Sequence, residues 1–175
     1  MPRIRRVGSI SSELLKKSKE AALAGVQIFN NPNITFKSES FIVLMNIAWT
    51  YLLHAYYKKN GIEYRYFEQK GQRKKFDTTR HGAYKHWELE RCLNDSNNPL
   101  DKDTSNNLKL LIGLRHEIEH QMTSKIDDLL SARFQASCLN YNEYIKKLFD
   151  DNEGIEKYLS FRATCRFLQT TNNLS

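Results

Sequence analysis

The sequence predicts an all-α protein, a bundle of four to five helices with one β-hairpin inserted into it. Three observations predict this class. Seven Gly and three Pro in 175 residues are too few for a turn-rich all-β chain. Apolar side chains recur at intervals of three and four over long segments, which is the helical period. One short segment, residues 62–76, breaks that period with closely spaced aromatic side chains.

The first two helices are expected at about residues 11–30 and 38–61. In the first, two serines precede Glu13 and a periodic apolar run, a pattern typical of a capped amphipathic helix. The second contains FIVLMNIAWTYLLHAYY, residues 41–57, which is apolar on nearly every side. This run falls short of a comfortable membrane span and carries polar side chains. We therefore expect a central core helix and no membrane association.

An insertion of about residues 62–103 follows the second helix. Its first part, to Phe76, is expected to form the β-hairpin, because aromatic residues flank a Lys70-Gly71 turn. A loop and the short helical stretch HWELERCL come next. The polar run NDSNNPLDKD then ends the insertion and is expected to be a surface loop, since no complete core precedes it.

Helical periodicity returns from about Thr104. The apolar stripe of this helix consists of Leu108, Leu111, Leu114, Ile118 and Met122. A further helix is expected from Asp127 to about Asp150, and a last one from Glu153 to Leu168. The chain is thus expected to form a single helical domain, residues 11–175, preceded by a basic arm at residues 1–10.

Composition indicates the kind of partner and compartment. The net charge is +7 and the pI is about 9.3, which suits a polyanion such as RNA. The three cysteines are scattered, without a second Cys at metal-ligand spacing, as is typical of a reduced cytoplasmic protein. The basic N-terminus has no apolar run behind it, so a secretory signal is not expected.

One short stretch, LRHEIEHQ at residues 114–121, fits two different chemistries. The letters HEIEH satisfy H-E-x-x-H, in which two histidines one helical turn apart hold zinc and the glutamate is a general base. The letters from Arg115 to His120 satisfy R-x-x-x-x-H. H-E-x-x-H is expected by chance less often than R-x-x-x-x-H in a sequence of this composition, so the motif match alone favours the zinc site.

The surroundings favour the arginine-histidine pattern instead. A zinc site of this kind needs a third ligand, and the main downstream candidate, Glu143, falls awkwardly on the next predicted helix. Glu119 would also place a second carboxylate beside the second histidine. We therefore expect neither a metal nor another cofactor.

Helix geometry indicates that one copy of this helix cannot direct both the arginine and the histidine of the motif into one cleft. At about 100° per residue, Arg115 lies about 40° from the core direction set by Leu111, so it is expected along the buried edge. His116 and His120 point about 140° and 180° away from that direction. A second copy packed across a two-fold axis would bring an arginine and a histidine into one cleft. The spacing therefore favours a homodimer with a composite site.

Three segments resemble the HEPN superfamily, and in particular its uncharacterised bacterial branch. They are ESFIVLMNIAWTYLLHAYY, NLKLLIGLRHEIEHQ and FQASCLNYNEYIKKLF, and the resemblance covers about residues 11–150. It implies a HEPN-like helical bundle and a metal-independent endoribonuclease of the toxin or antiviral-defence type, with an antitoxin or sensor as a possible partner. In such enzymes an R-x(4-6)-H motif, often with a polar residue after the arginine, lies at a two-fold dimer interface. Arg115, His116 and His120 match that motif, whereas Glu117 and Glu119 make it more acidic than an RNA phosphate favours.

The chemistry that the resemblance implies uses the 2′-hydroxyl of RNA as the nucleophile. His120 would act as base or acid, and Arg115 would stabilise charge on the phosphate. His116 would position or share the proton, and Glu119 could orient an imidazole. The products would be a 2′,3′-cyclic phosphate and a 5′-hydroxyl.

A basic cluster in the insertion is the candidate RNA-binding surface. Its residues are Arg65, Lys70, Arg73, Lys74, Lys75 and Arg80, interleaved with aromatic side chains that can stack on bases. A solvated hairpin with an aromatic underside explains the same pattern nearly as well. Two further functions stay open: a non-catalytic HEPN module that dimerises or binds a nucleotide or protein partner, and a zinc hydrolase that uses HEIEH.

Overall fold

The computed structural model describes residues 7–118 and 126–156, except the side chains of residues 7–9, 116, 118 and 126–131. The described part is mostly helical, with one two-stranded antiparallel sheet, as the sequence predicts. Its α-helices are α1 (Val7–Asn30), α2 (Lys37–Lys59), α3 (Leu89–Leu93), α4 (Lys102–Ile118) and α5 (Ile126–Leu148). Its strands are β1 (Phe67–Lys70) and β2 (Arg73–Phe76). None of the described helices is long and apolar enough to span a membrane.

Helices α1 and α2 form an antiparallel pair joined by the turn at residues 31–36. Ser11 Oγ donates to the carbonyl of Ala55 at 2.9 Å, and Ser18 Oγ donates to that of Ala48 at 2.6 Å. Helix α1 begins at Val7, so the predicted capping role of Ser11 and its neighbour is wrong. The hydroxyl of Ser11 bonds to α2 instead, and the last residues of the predicted basic arm are helical. Residues 1–6 of that arm lie outside the described residues.

Helix α2 is the centre of the core, as its apolar character predicts. Eleven of its residues are buried, and they cover more than half of its circumference, whereas Val43 and Ile47 on the remaining side are exposed. Phe41 packs on Phe134 of α5 with ring centroids 4.6 Å apart, and Trp49 meets Tyr141 of α5 edge to face at 5.5 Å. Complete burial of a large apolar side chain stabilises a fold by about 1.5–3 kcal/mol. The α2–α5 contact is therefore a main source of stability.

The start of α4 is fixed by a side-chain cap. Asp101 Oδ1 accepts a hydrogen bond from the backbone N–H of Thr104 at 2.7 Å, which satisfies one of the free donors at a helix N-terminus. The hydroxyl of Tyr144 on α5 donates to the other carboxylate oxygen of Asp101. Leu108 and Leu111 are buried, which confirms the predicted core side of this helix.

The end of the described chain differs from the prediction. A 3-10 turn, Asp151–Glu153, follows α5, and Asp150 caps it by accepting from the N–H of Asn152 at 2.9 Å. The last helix predicted from Glu153 therefore does not begin there. The part of that prediction at residues 157–168 lies outside the described residues.

The predicted hairpin is confirmed. Strands β1 and β2 pair directly from Phe67↔Phe76 to Lys70↔Arg73. Gly71 has a φ of 61° in the connecting turn, a conformation that glycine adopts without steric cost. Isolated pairs between residues 65 and 86 and between residues 78 and 84 extend the hairpin toward α2. The segment predicted as a loop therefore folds back along the hairpin.

Candidate functional site

Arg115 lies in the last turn of α4, and its side chain is exposed. The prediction that it leans along the buried edge is therefore wrong. The helical wheel gives the direction of the Cα–Cβ bond, whereas a long arginine carries its charge past an apolar edge into solvent. The His116 backbone belongs to α4, but its side chain, together with Glu119 and His120, lies outside what the structure describes. The relative placement of the four catalytic candidates remains a prediction.

The outer face of α4 has an unusual composition just before Arg115. Gly113 is exposed, and a Cβ added to it would meet no atom of the described residues within 4 Å. Leu110, one turn earlier, is 38 % exposed. A glycine inside a helix costs about 1 kcal/mol relative to alanine. The contacts described within one chain therefore give no packing reason for the glycine.

The register of the hairpin divides its side chains between two faces. Directly paired residues share a face, and so do alternate residues along one strand. Phe67, Gln69, Lys74 and Phe76 form one face, and Glu68, Lys70, Arg73 and Lys75 form the other. The second face thus carries three exposed cations for one carboxylate. It is the most basic surface of the hairpin.

Arg65 is fixed at the base of the hairpin. Its Nε and Nη2 donate to the two carboxylate oxygens of Glu63, each at 2.7 Å. Its guanidinium lies 3.9 Å from the ring centroid of Phe76 and 4.9 Å from that of Tyr84. The hydrogen bonds from Arg65 lower the pKa of Glu63. Arg65 is therefore less available to a phosphate than the hairpin lysines.

Arg80 occupies the loop after the hairpin. Its Nε donates to Nε2 of His81 at 3.0 Å, and both side chains are exposed. Of the six basic residues predicted to bind RNA, four belong to β1 and β2, and Arg65 lies just before β1. The structure therefore brings most of the predicted cluster to one hairpin.

The structure reveals a cavity that the sequence does not predict. It measures about 430 Å³ and lies between α1, α2 and the base of the hairpin. Leu14 contributes from α1. The lining from α2 is Asn46, Ile47, Thr50, Tyr51 and His54, and Tyr64, His86 and Trp87 complete the wall. These residues come from four separate segments of the chain, so no local pattern indicates them.

His54 is a buried titratable group of this cavity, with only 6 % of its surface exposed. Its Nε2 lies 2.7 Å from the carbonyl oxygen of Trp87. A carbonyl only accepts hydrogen bonds, so Nε2 carries the proton and Nδ1 is the acceptor of the neutral ring. Burial, followed by a smaller effect of His86, lowers the pKa of His54 to about 4, against hydrogen bonding to Trp87, which raises it. The ring is therefore neutral at pH 7.

Comparison with known proteins gives a family and no activity. The profile of a family described as "Domain of unknown function (DUF3644)" matches residues 13–173. No curated protein and no solved structure matches the chain. The family match covers all the described elements from most of α1 onward.

Proposed function

The chain belongs to the DUF3644 family, and from that premise we propose that it is a metal-independent endoribonuclease of the HEPN type that acts as a homodimer. One observation carries the proposal: the R-x-x-x-x-H spacing of Arg115 and His120 in the sequence. A helical chain with a net charge of +7 supports it, because both features suit an RNA-cleaving bundle. A toxin or antiviral-defence role, in the cytoplasm and with a neutralising or sensing partner, is part of the same proposal.

The proposed reaction needs few protein groups. RNA supplies the nucleophile, so the protein must accept the 2′-hydroxyl proton and stabilise the charged phosphorus transition state. His120 takes the proton, with His116 sharing the proton transfer and Glu119 orienting an imidazole. The guanidinium of Arg115, an exposed residue, donates to phosphate oxygens. Cleavage leaves a 2′,3′-cyclic phosphate and a 5′-hydroxyl.

The outer face of α4 supports the dimeric arrangement. Gly113 removes side-chain bulk two residues before Arg115, and Leu110 offers exposed apolar surface one turn earlier. A glycine on a helix surface lets a second helix approach closely. At about 100° per residue, Gly113 lies about 160° from Arg115, on the side that the sequence predicts for His116 and His120. Two copies of α4 that meet at Gly113 would bring those histidines toward a two-fold axis, and each Arg115 would reach the cleft from the flank of its helix. On this proposal, the cost of the glycine is offset in the dimer.

The basic hairpin supports RNA as the substrate. Lys70, Arg73 and Lys75 project from one face. Among the residues that the structure describes, these cations have no aromatic ring or buried partner, apart from a loose contact of 3.9 Å between Lys70 and Glu68. Exposed cations of this kind bind phosphates and release counterions. The proposal assigns Lys74 and Arg80 to the same contact area, with Arg65 as its support.

The test is cleavage of a fluorescent single-stranded RNA pool in excess EDTA. The wild-type protein should cut the RNA and leave 2′,3′-cyclic phosphate ends, and Arg115→Ala or His120→Ala should reduce the rate by 10²-fold or more, a loss typical of a removed catalytic group. Arg133→Ala is the matched control, because Arg133 is exposed and lies outside both the motif and the basic hairpin. Activity that EDTA abolishes, together with stoichiometric zinc, would support the zinc hydrolase instead.

A non-catalytic HEPN module is the second candidate function. The carboxylates of Glu117 and Glu119 beside the motif favour it, because they oppose the approach of an RNA phosphate. A protein that dimerises tightly and leaves varied RNA pools intact would have this function and not the nuclease activity.

A further inference from the structure

We propose that the cavity between α1, α2 and the base of the hairpin binds one unpaired nucleobase of an RNA strand. This inference rests on the proposed function for the identity of the polymer and deepens it by naming single-stranded RNA as the substrate class. The cavity lies outside the Arg115–His120 motif. Its role is to bind the strand and not to cleave it.

The size and shape of the cavity suit a single planar ring system. Its volume of about 430 Å³ is near the lower end of the range for small-molecule sites, about 300–1,000 Å³. Leu14 and Ile47 give it apolar walls on the helix side, and Trp87 closes it on the other. A base is a flat, largely apolar body that such walls can hold.

The polar groups of the cavity match the edge of a base. No Lys, Arg, Asp or Glu contributes to its described lining, so the occupant should be uncharged in the cavity itself. The Asn46 side chain offers both a donor and an acceptor, and no hydrogen bond within the described residues occupies it. The neutral His54 ring adds the acceptor Nδ1. Complementary donors and acceptors are how proteins recognise extruded bases.

Stacked rings form one wall of the cavity. His54 and Tyr64 stack with centroids 4.6 Å apart and an interplanar angle of 29°. Tyr64 lies 5.3 Å from His86, inclined by 34°. His86 is exposed at the cavity mouth. A nucleobase entering beside these rings would extend an existing stack, an interaction worth about 1–3 kcal/mol per base.

The surroundings of the mouth indicate that the base belongs to a polyanion. The backbone of His86 pairs with that of Arg65, at the point where the hairpin begins. From there the rings of Phe76 and Tyr84, 5.6 Å apart, continue outward along the hairpin. Lys17, on the α1 side, lies 5.8 Å from the ring centroid of Tyr51. A largely apolar cavity without charged lining, with the exposed Lys17 on one side and the basic hairpin on the other, fits a base attached to a phosphate backbone better than a neutral metabolite.

The experiment measures binding in a His120→Ala background, so that RNA stays intact. Fluorescence anisotropy is recorded with a short single-stranded RNA, with an abasic ribose-phosphate strand of equal length, and with free adenosine and cytidine as competitors. The cavity is filled by Ile47→Trp. The matched control is Val43→Trp, one turn earlier on α2, because Val43 is 37 % exposed, Ile47 is 39 % exposed, and Val43 does not line the cavity.

The expected result has two parts. The unmodified cavity should prefer the intact strand over the abasic strand by about tenfold or more, and Ile47→Trp should remove that preference while Val43→Trp keeps it. Thermal melting would reveal whether Ile47→Trp perturbs folding. In that case Asn46→Leu, a smaller change, replaces it and should reduce the preference for the intact strand. Competition by free nucleosides at micromolar concentration would identify a soluble nucleoside as the occupant and overturn the RNA assignment.

Failure of this inference is distinguishable from failure of the proposed function. If the filled and unfilled cavities bind the intact strand equally, the base site is refuted, whereas EDTA-resistant cleavage by the otherwise wild-type chain would still support the nuclease. If the chain cuts no RNA but retains the cavity-dependent preference for intact strands, the nuclease is refuted and the base site stands.

Discussion

Acidification from pH 7 to pH 5 should destabilise the fold through His54. The folded protein keeps this ring neutral, with a pKa lowered from 6.5 to about 4, whereas the unfolded chain protonates it near 6.5. The unfolded state therefore binds more protons between these two values. The stability that comes from the neutral ring is complete above pH 6.5, is lost progressively as the pH falls, and changes no further below about pH 4.

The size of the effect follows from the two pKa values. Linkage over this interval gives a loss of about 2 kcal/mol in the free energy of unfolding between pH 7 and pH 5. His86, whose pKa is also lowered by burial, acts in the same direction, but its exposure makes the contribution smaller. The carboxylates of Glu63 and Asp101 have pKa values below their ordinary 4.5 and 3.8, so they titrate below this window.

Urea unfolding of the wild type and of His54→Gln at the two pH values is the assay. Glutamine keeps a donor for the carbonyl of Trp87 but does not titrate, so the variant should lose most of the pH dependence. His86→Gln is the matched control and should retain most of it. An equal loss of stability on acidification in the wild type and in His54→Gln would refute the assignment of the neutral, buried ring.

Three further variants test other parts of the structure. Asp101→Ala should lower the free energy of unfolding by about 1–2 kcal/mol, because α4 loses its cap. A loss smaller than a few tenths of a kcal/mol would contradict the capping role. Ser18→Ala should cost about 1–3 kcal/mol by urea unfolding, since Ser18 bonds both Ala48 and Tyr141 in the core, whereas the exposed Ser96→Ala should be neutral. Gly113→Trp should convert the proposed dimer to a monomer in sedimentation velocity without unfolding it, and an unchanged dimer would exclude this face as the interface.

The helices and the hairpin were predictable because their signals are local. A long apolar run defines α2, the apolar period defines α5, and a short turn with Gly71 defines the hairpin. Helix starts were less predictable, because contacts between distant residues decide them. Ser11 resembles a cap in sequence, yet its hydroxyl bonds to a residue 44 positions away. Asp101 caps α4 with help from Tyr144, which is equally invisible to a local pattern.

The candidate site was predictable in part. The spacing of Arg115 and His120 depends only on the sequence, and the basic cluster of the hairpin follows from its register. The exposure of Arg115 was not predicted, because a helical wheel ignores the length of the side chain. The cavity was not predictable, because His54 and His86 are brought together only by tertiary structure.

The most direct test of the composite nuclease site is a mixing experiment. Arg115→Ala and His120→Ala should each be inactive alone in EDTA, and an equimolar mixture, allowed to exchange subunits, should regain about one quarter of the wild-type cleavage rate. Half of the mixed dimers are then heterodimers, and each retains one of its two sites when the site takes arginine from one copy and histidine from the other. If both variants are dimeric and exchange subunits but the mixture stays inactive, that arrangement is contradicted.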